Sequence, residues 1–338
     1  MRRPWLAPFT LLYAAGLAMR NLCIENGWEP VRRLRWPVVS IGNLSIGGSG
    51  KTPLTIALAK ALTRRVLRVD VLSRGYGRQS QLPARVNPDG TAEEFGDEPL
   101  LMARETGIPV YVAGQRYEAG LLAEAERSAD SRFGLHVLDD GFQHRQLHRD
   151  ADILLLDRRD LTDSLLPAGN LREPLKAARR ASIIAIPTPD ESPGGASELE
   201  TALRTWGWQG PVWRLHRKME NPPVAGPVVA FCGIARPEQF FAGLEAAGLH
   251  IAARIAFPDH HRYTARELDR MVARAHEAGA TAFITTGKDS VRLGKLSSAF
   301  TESLPLKTAG LRVEIEHEDE AIASLISRLA LSPPHPSL

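Results

Sequence analysis

At 338 residues, 43% apolar and 24% charged, the chain has the material for one large or two medium globular domains with a real core, and disorder is excluded as its main theme. The net charge of +3 is lodged at one end: residues 1–36 carry Arg2, Arg3, Arg20, Arg32, Arg33 and Arg35 against Glu25 and Glu29, which leaves the remainder near neutral and excludes the basic domain face of a nucleic-acid binder. Cys23 and Cys232, far apart and without Cys or His at ligand spacing, exclude a disulfide scaffold and a structural zinc site and fit a reducing compartment.

The first element is an apolar run from Trp5 to Ala18, interrupted by Pro8 and closed by Arg20. At about 14 residues it is shorter than the roughly 20 that cross a bilayer as a helix, so it is not expected to span. Three readings stay open. The run is a helix packed on the protein's own core, or a signal peptide with Arg2 and Arg3 at its basic start, or a helix lying in a membrane interface. In the last case Trp5, Phe9, Leu12, Tyr13 and Leu17 dip in, and the arginines face anionic headgroups at about 1 kcal/mol each.

From residue 37 short β-branched runs alternate with helical stretches. Spacing predicts strands over 37–44, 66–72, 109–113, 135–138, 152–156, 182–186, 228–231, 250–257 and 282–286, and helices over 52–63, 99–105, 117–129 and 265–278. Val, Ile and Leu without strict alternation belong to strands buried on both faces, hence a parallel sheet and an α/β class. Composition breaks at 188–197 and 221–227 suggest four parts: an apolar and basic segment over 1–36, a first α/β domain over 37–220, a smaller α/β domain over 227–310, and a return strand and closing helix over 311–331. Segments 212–218 and 311–316 are expected to pair as a two-stranded link between the domains.

The most informative stretch is Ser45-Ile46-Gly47-Gly48-Ser49-Gly50-Lys51-Thr52. A strand runs into a glycine-rich turn, and Lys51-Thr52 opens a helix whose Leu54, Ala57, Leu58, Ala61 and Leu62 recur at helical spacing. Glycines let N–H groups turn toward an anion, and the helix N-terminus adds about half a positive charge. The eight residues read as a cradle for nucleotide phosphates, with Lys51 reaching the β- and γ-phosphates and the Thr52 hydroxyl ligating Mg²⁺. The strict pattern has glycine where Ser45 stands; Gly47, Gly48 and Gly50 supply the turn, and Pro53 suits a first helical turn.

The strand at 135–138 ends in Asp139-Asp140, where such folds hold metal-binding carboxylates; beside the loop, that reading outweighs an ordinary Asp-Asp-Gly turn. Asp97, in Gly96-Asp97-Glu98-Pro99, is the candidate for activating a nucleophile, with a helix cap as the alternative. His260 and His261 follow a strand and precede a capping box, Thr264 with Glu267. Adjacent side chains point apart, so a metal between them is not expected; one is a proton handler, or both are solvated loop residues.

Taken together, Ser40 to Pro53, Leu72-Ser73-Arg74-Gly75-Tyr76-Gly77-Arg78, Gly96 to Pro99, Asp139-Asp140-Gly141-Phe142-Gln143-His144, Leu166 to Pro174, Asp259-His260-His261 and Thr285 to Asp289 resemble the tetraacyldisaccharide 4′-kinase family of lipid A biosynthesis. The resemblance runs in the family's order from the N-terminus to about residue 290. It implies a P-loop NTPase-like three-layer α/β/α domain with a mostly parallel sheet, plus a second, smaller α/β domain on a two-stranded link. It also implies ATP-dependent phosphorylation of the 4′-hydroxyl of a tetraacylated glucosamine disaccharide 1-phosphate. The enzyme would be peripheral on the cytoplasmic leaflet of the inner membrane, with no nucleic-acid or obligate protein partner.

Carried over residue by residue, the resemblance makes Asp97 the general base paired with His260 rather than His261. Thr52 and Glu173 hold Mg²⁺ with Asp139 or Asp140 nearby, and Lys51, Arg116 and Arg172 act on the phosphates. Gln143 and His144 line the site, while Arg74, Tyr76 and Arg78 touch the acceptor. Gly287 and Asn170 depart from the family pattern, where Glu and Pro are expected. Another P-loop small-molecule kinase and a membrane-associated nucleotide switch are the alternatives. A cytosolic nucleotide site also argues against secretion, which favours the interfacial helix at the N-terminus.

Overall fold

The computed structural model describes residues 3–65, 68–126, 134–188, 195–301 and 303–330. The parts of the expectations above that fall on 1–2, 66–67, 127–133, 189–194, 302 and 331 lie outside them. The chain begins with α1 (Ala7–Glu25), β1 (Val38–Asn43), α2 (Lys51–Thr63), β2 (Val69–Ser73), β3 (Ala84–Arg85), α3 (Ala92–Phe95), α4 (Asp97–Thr106), β4 (Val110–Val112) and α5 (Arg116–Ala125). It continues through β5 (Leu135–Leu138), β6 (Ala151–Leu155), β7 (Ile183–Thr188), α6 (Gly195–Thr205) and β8 (Val212–Glu220). The remainder is β9 (Val228–Cys232), α7 (Pro237–Ala246), β10 (Ile251–Ala256), α8 (Ala265–Glu277), β11 (Ala282–Thr286), α9 (Gly287–Leu293), α10 (Ser297–Thr301), β12 (Leu306–Ile315) and α11 (Glu318–Ala330).

The described strands form one twelve-stranded sheet in the order β10-β9-β11-β12-β8-β7-β6-β1-β5-β2-β4-β3. It is parallel except where β3 meets β4 and β12 meets β8, so the class is α/β as the sequence pattern indicates. Every residue of β1 is buried, and β1 lies between β5 and β6. From β1 the chain crosses to β2 on one side and later returns through β5 to β6 on the other. The carboxyl ends of these strands therefore border a crevice, the place where open α/β sheets bind ligands.

Two expectations are corrected. The return strand begins at Leu306, not 311. Its first part pairs in parallel with β11, Phe283 opposite Leu306 through Thr286 opposite Ala309. From Gly310 it runs antiparallel to β8, ending with Ile315 opposite Leu215. Lys307 and Thr308, exposed on this strand, conceal it from a search for apolar runs. The link is thus part of a single sheet that both units share.

The N-terminal segment is also longer than its apolar run. Residues Pro4–Glu25 form 22 residues of helix, long and apolar enough to cross a membrane by length and composition. Arg20 and Asn21 end the apolar run without ending the helix because both turn to the body of the protein: Arg20 donates to the Gln143 carbonyl (2.8 Å) and Arg145 donates to Asn21 (2.7 Å). The core-packing reading is not met either, since Ile24 alone of α1 is buried. Trp5, Phe9, Leu11, Leu12, Met19 and Leu22 are exposed. Tyr13 and Leu17, expected to face a membrane, are half-buried instead, and the Tyr13 hydroxyl donates to the Arg172 carbonyl (2.9 Å).

Candidate active site

The glycine-rich loop leaves β1 and enters α2 through Gly50, whose φ of 93° lies in the left-handed region where a side chain is strained. A Cβ there would also stand 3.0 Å from the Arg217 guanidinium, which donates to the Ser49 carbonyl. Ser45 serves where the strict pattern has glycine because its backbone pairs with Leu171 as an extended bridge, a conformation open to any residue. Ile46, Gly47 and Gly48 are exposed, while Ser49 and Thr52 are buried.

Lys51 begins α2 and donates to Asn43 Oδ1 (3.0 Å), with Asp140 at 3.6 Å. Burial lowers its pKa and the charge of Asp140 opposes that shift. Arg172 reaches the same two partners, donating to both Asp140 oxygens (3.0 and 3.1 Å) and to Asn43 Oδ1 (2.7 Å). Two cations therefore converge beside the mouth of the loop. The Asp139 carboxylate is buried beneath them and accepts from Thr55 and Ser73, both at 3.2 Å. Burial, then the charges of Glu98 and Asp140, push its pKa up to about 7. A buried carboxyl with two negative neighbours, tied through Thr55 to the helix α2 whose first turn carries the Thr52 hydroxyl, supplies donors that fit a hard divalent cation.

Two of the four expected metal ligands are engaged by arginines. Arg180 grips Glu173 with two bonds (2.8 and 3.0 Å), and Asp140 is held by Arg172. Among the described residues no three Asp, Glu, His or Cys side chains gather as a metal site. Thr52 and Asp139 are what remains.

Across the crevice, Asp97 opens α4 after Gly96 and is not its cap; Gly96 occupies that position. His260 Nδ1 lies 3.1 Å from Asp97 Oδ2. The Arg292 Nε donates to the same oxygen (2.7 Å), and a second guanidinium nitrogen joins it. Burial raises the Asp97 pKa, but the hydrogen bond to His260 and the charges of Arg292 and Lys288 outweigh it and hold the carboxyl well below the usual range. The hydrogen bond to Asp97 in turn raises the His260 pKa. His261 turns away: it stacks on Phe257 (4.5 Å) and meets Glu267 of the α8 capping box (3.2 Å).

A third group of residues has unspent hydrogen-bonding capacity. Gln143 Nε2 donates to the Asn43 carbonyl (3.0 Å), while its Oε1, His144 Nε2, Arg116 Nε and all three guanidinium nitrogens of Arg78 are buried without a partner. Burial and then the charges of Arg116, Arg149, Arg20 and Arg74 push His144 down to about 3. Burial and the Arg74 charge bring Arg116 down to about 10. Tyr76 is exposed with its ring 5.2 Å from that of His260, and Arg74 is exposed beside it. Concentrated positive charge with free donors is what an anionic ligand would satisfy.

The family described as tetraacyldisaccharide-1-P 4′-kinase matches residues 2–330. The chain belongs to this family. It is 41% identical over 331 residues to the tetraacyldisaccharide 4′-kinase of Koribacter versatilis, covering 94% of this chain and 97% of that protein. It is 37% identical over 339 residues to that of Aquifex aeolicus, covering 97% and 99%. The crystal structure described as apo-form LpxK from Aquifex aeolicus in complex with ATP superposes with a TM-score of 0.74 at 34% identity, covering 96% of this chain and 98% of that one.

In this member of the 4′-kinase family, sequence reasoning missed several residues of the crevice. Asn43 lies inside the loop motif, and the signal was its polar side chain at the end of a fully buried strand. Arg292 and Lys288 belong to α9, which follows β11 without a polar linker. Lys288 contacts Glu98, the neighbour of Asp97. The two departures from the family pattern have local accounts. The Asn170 side chain donates to Asp163 (2.8 Å), while its backbone carbonyl accepts from the Ile46 N–H (2.8 Å), and Gly287 lets α9 approach Leu101 of α4, which a Cβ would meet at 3.0 Å.

Proposed function

We propose that the chain transfers the γ-phosphoryl group of ATP to the 4′-hydroxyl of a tetraacylated glucosamine disaccharide 1-phosphate, working from the cytoplasmic face of the inner membrane. The observation that carries the reading is a family match over residues 2–330, which takes in both the phosphate loop and the Asp97–His260 pair. ATP is named with the Aquifex aeolicus structure, and the loop with Lys51 and Arg172 beside it supports the same donor here. Mg²⁺, held by Thr52 and Asp139, would neutralise charge on the phosphate oxygens.

The remaining work falls to side chains. Lys51 and Arg172 oppose the charge that develops on the transferring group. A sugar hydroxyl is a weak nucleophile, and the Asp97–His260 pair takes its proton as one coupled unit, because a carboxylate held this acidic leaves the proton on the imidazole, whose pKa it raises. Arg74, Tyr76, Arg78, Arg116 and His144 supply donors, and Gln143 Oε1 an acceptor, for the acceptor's phosphate and sugar. The exposed apolar face of α1 supports a seat in the membrane interface, where acyl chains reside.

The test is incubation with [γ-³²P]ATP, Mg²⁺ and tetraacyldisaccharide 1-phosphate in mixed micelles, with labelled bisphosphorylated lipid as the expected product. Asp97→Ala should lower kcat by at least about 100-fold with ATP binding intact. A protein that binds ATP and leaves the lipid unlabelled would sink the reading.

A further inference from the structure

The Asp97–His260 pair is built from two units of the fold, and one side chain touches both halves. Arg292, on α9, is 6% exposed. Its Nε and one Nη hold Asp97 Oδ2, and the same Nη lies 3.3 Å from His260 Nδ1. The other Nη donates to the Gly233 carbonyl (2.5 Å) and to Asp289 Oδ1 (3.0 Å). That Gly233 carbonyl also accepts the His260 N–H (3.2 Å), so the guanidinium is referenced to the backbone that carries the imidazole.

Asp289 keeps the guanidinium aimed. It is fully buried and accepts from the Tyr263 hydroxyl (2.9 Å), the Gly233 N–H (3.0 Å) and the Thr286 hydroxyl (2.6 Å). One turn before Arg292, Lys288 holds Glu98, and Gly287 permits the close approach of α9 to α4.

We propose that Arg292 is the positioning residue of the Asp97–His260 pair: aimed by Asp289, its fork fixes the α4 carboxylate against the imidazole, so that the pair is complete only while α9 is docked on α4. A lysine there would supply a point charge without the fork. The groups facing the imidazole are Asp97, Asp259, Arg292 and the Tyr76 ring, and those facing the carboxylate include Lys288. Of these, Arg292 is the one that contacts both members of the pair.

The kinetic consequence rests on the phosphotransfer reading above; the structural one does not. In the full-length chain, Arg292→Gln should lower kcat at least about tenfold with the KM for ATP unchanged within about twofold, and should move the acid limb of the kcat profile to lower pH, because an imidazole without its positioned carboxylate holds the proton less tightly. Arg292→Lys should return the limb only part of the way and restore only part of kcat. A kcat loss with an unmoved limb, or wild-type kcat in Arg292→Lys, overturns the proposal, and the lysine variant decides it alone if the glutamine variant does not fold.

NMR titration of the His260 ring in the nucleotide-free protein separates the two readings. Its midpoint should fall in Arg292→Gln, because a carboxylate no longer held against the ring withdraws the hydrogen bond that raises it; an unmoved midpoint, or a risen one as from a lost charge alone, overturns the role of Arg292 whatever the wild type phosphorylates. A fallen midpoint in a protein whose wild type labels no lipid overturns the activity alone.

Discussion

Lys51 and Asp139 respond oppositely to the same burial. The ammonium is pushed down and drawn back by Asp140, whereas the carboxyl is pushed up to about 7 by burial and then by Glu98 and Asp140. Near neutral pH Asp139 therefore carries a proton for part of the time, and a divalent cation at Thr52 and Asp139 would expel it. Binding of MgATP at pH 7 should release protons, seen as heats that vary with buffer ionisation enthalpy; buffer-independent heats, or the same dependence in Asp139→Asn, would contradict the assignment. A second buried group governs stability rather than chemistry. Burial works against a charged His136, but Asp70 at 2.5 Å and Glu124 at 3.4 Å outweigh it and raise its pKa to about 9. A folded-state value above the ordinary 6.5 means the stabilisation is complete below pH 6.5 and fades as pH rises through 9. It amounts to about 3 kcal/mol for a shift of this size. Urea unfolding should show His136→Gln well below wild type at pH 6 and closer to it at pH 9.5; a gap that stays constant with pH would refute the account.

Helix α1 turns its apolar side out and its polar side in, the reverse of an ordinary surface helix. Phe9 and Leu12 are exposed, while Tyr13 and Arg20 bond to the carbonyls of Arg172 and Gln143. The face that would meet lipid is thus tied to two segments of the crevice. Phe9→Asp with Leu12→Asp should weaken binding to anionic vesicles and raise the KM for lipid more than that for ATP; equal changes in both constants would count against an interfacial role. Deleting the helix is a poorer test, since it also removes the bonds to those segments. The same helix marks the limit of what the sequence discloses. Its apolar run was legible, but its true end at Glu25 was not, because Arg20 and Asn21 are satisfied by residues more than a hundred positions away. The loop between β1 and α2 was legible in full, since strand period, glycine turn and helix period follow one another without tertiary help. Strand β12 and helix α9 were not: one mixes exposed Lys307 and Thr308 into a buried pairing, and the other begins directly on β11.

The whole molecule is held together by the return of the chain. Strand β12 joins the sheet of the smaller unit to β8, and α11 then packs Ala321, Ile322, Leu325 and Leu329 into the core formed by β1 and α2 with Leu54, Leu58 and Leu62. The C-terminal helix consequently stabilises the nucleotide-binding unit, although the smaller unit precedes it in sequence. On its outer side Arg64 pairs with Glu318 and Arg65 with Asp319, exposed contacts worth little beside the apolar seam. Leu325 has no exposed surface, so Leu325→Ala removes its burial and leaves a cavity beneath α2. The expected loss is about 2–5 kcal/mol, and because α2 carries the phosphate loop at its start, the loss should appear in the unit that binds nucleotide. Chemical denaturation read by ATP-dependent stabilisation can separate the cases. A lowered midpoint that saturating ATP partly restores places α11 in the nucleotide-binding core, whereas a loss under 1 kcal/mol, or one indifferent to ATP, would mean that the helix stabilises the smaller unit alone.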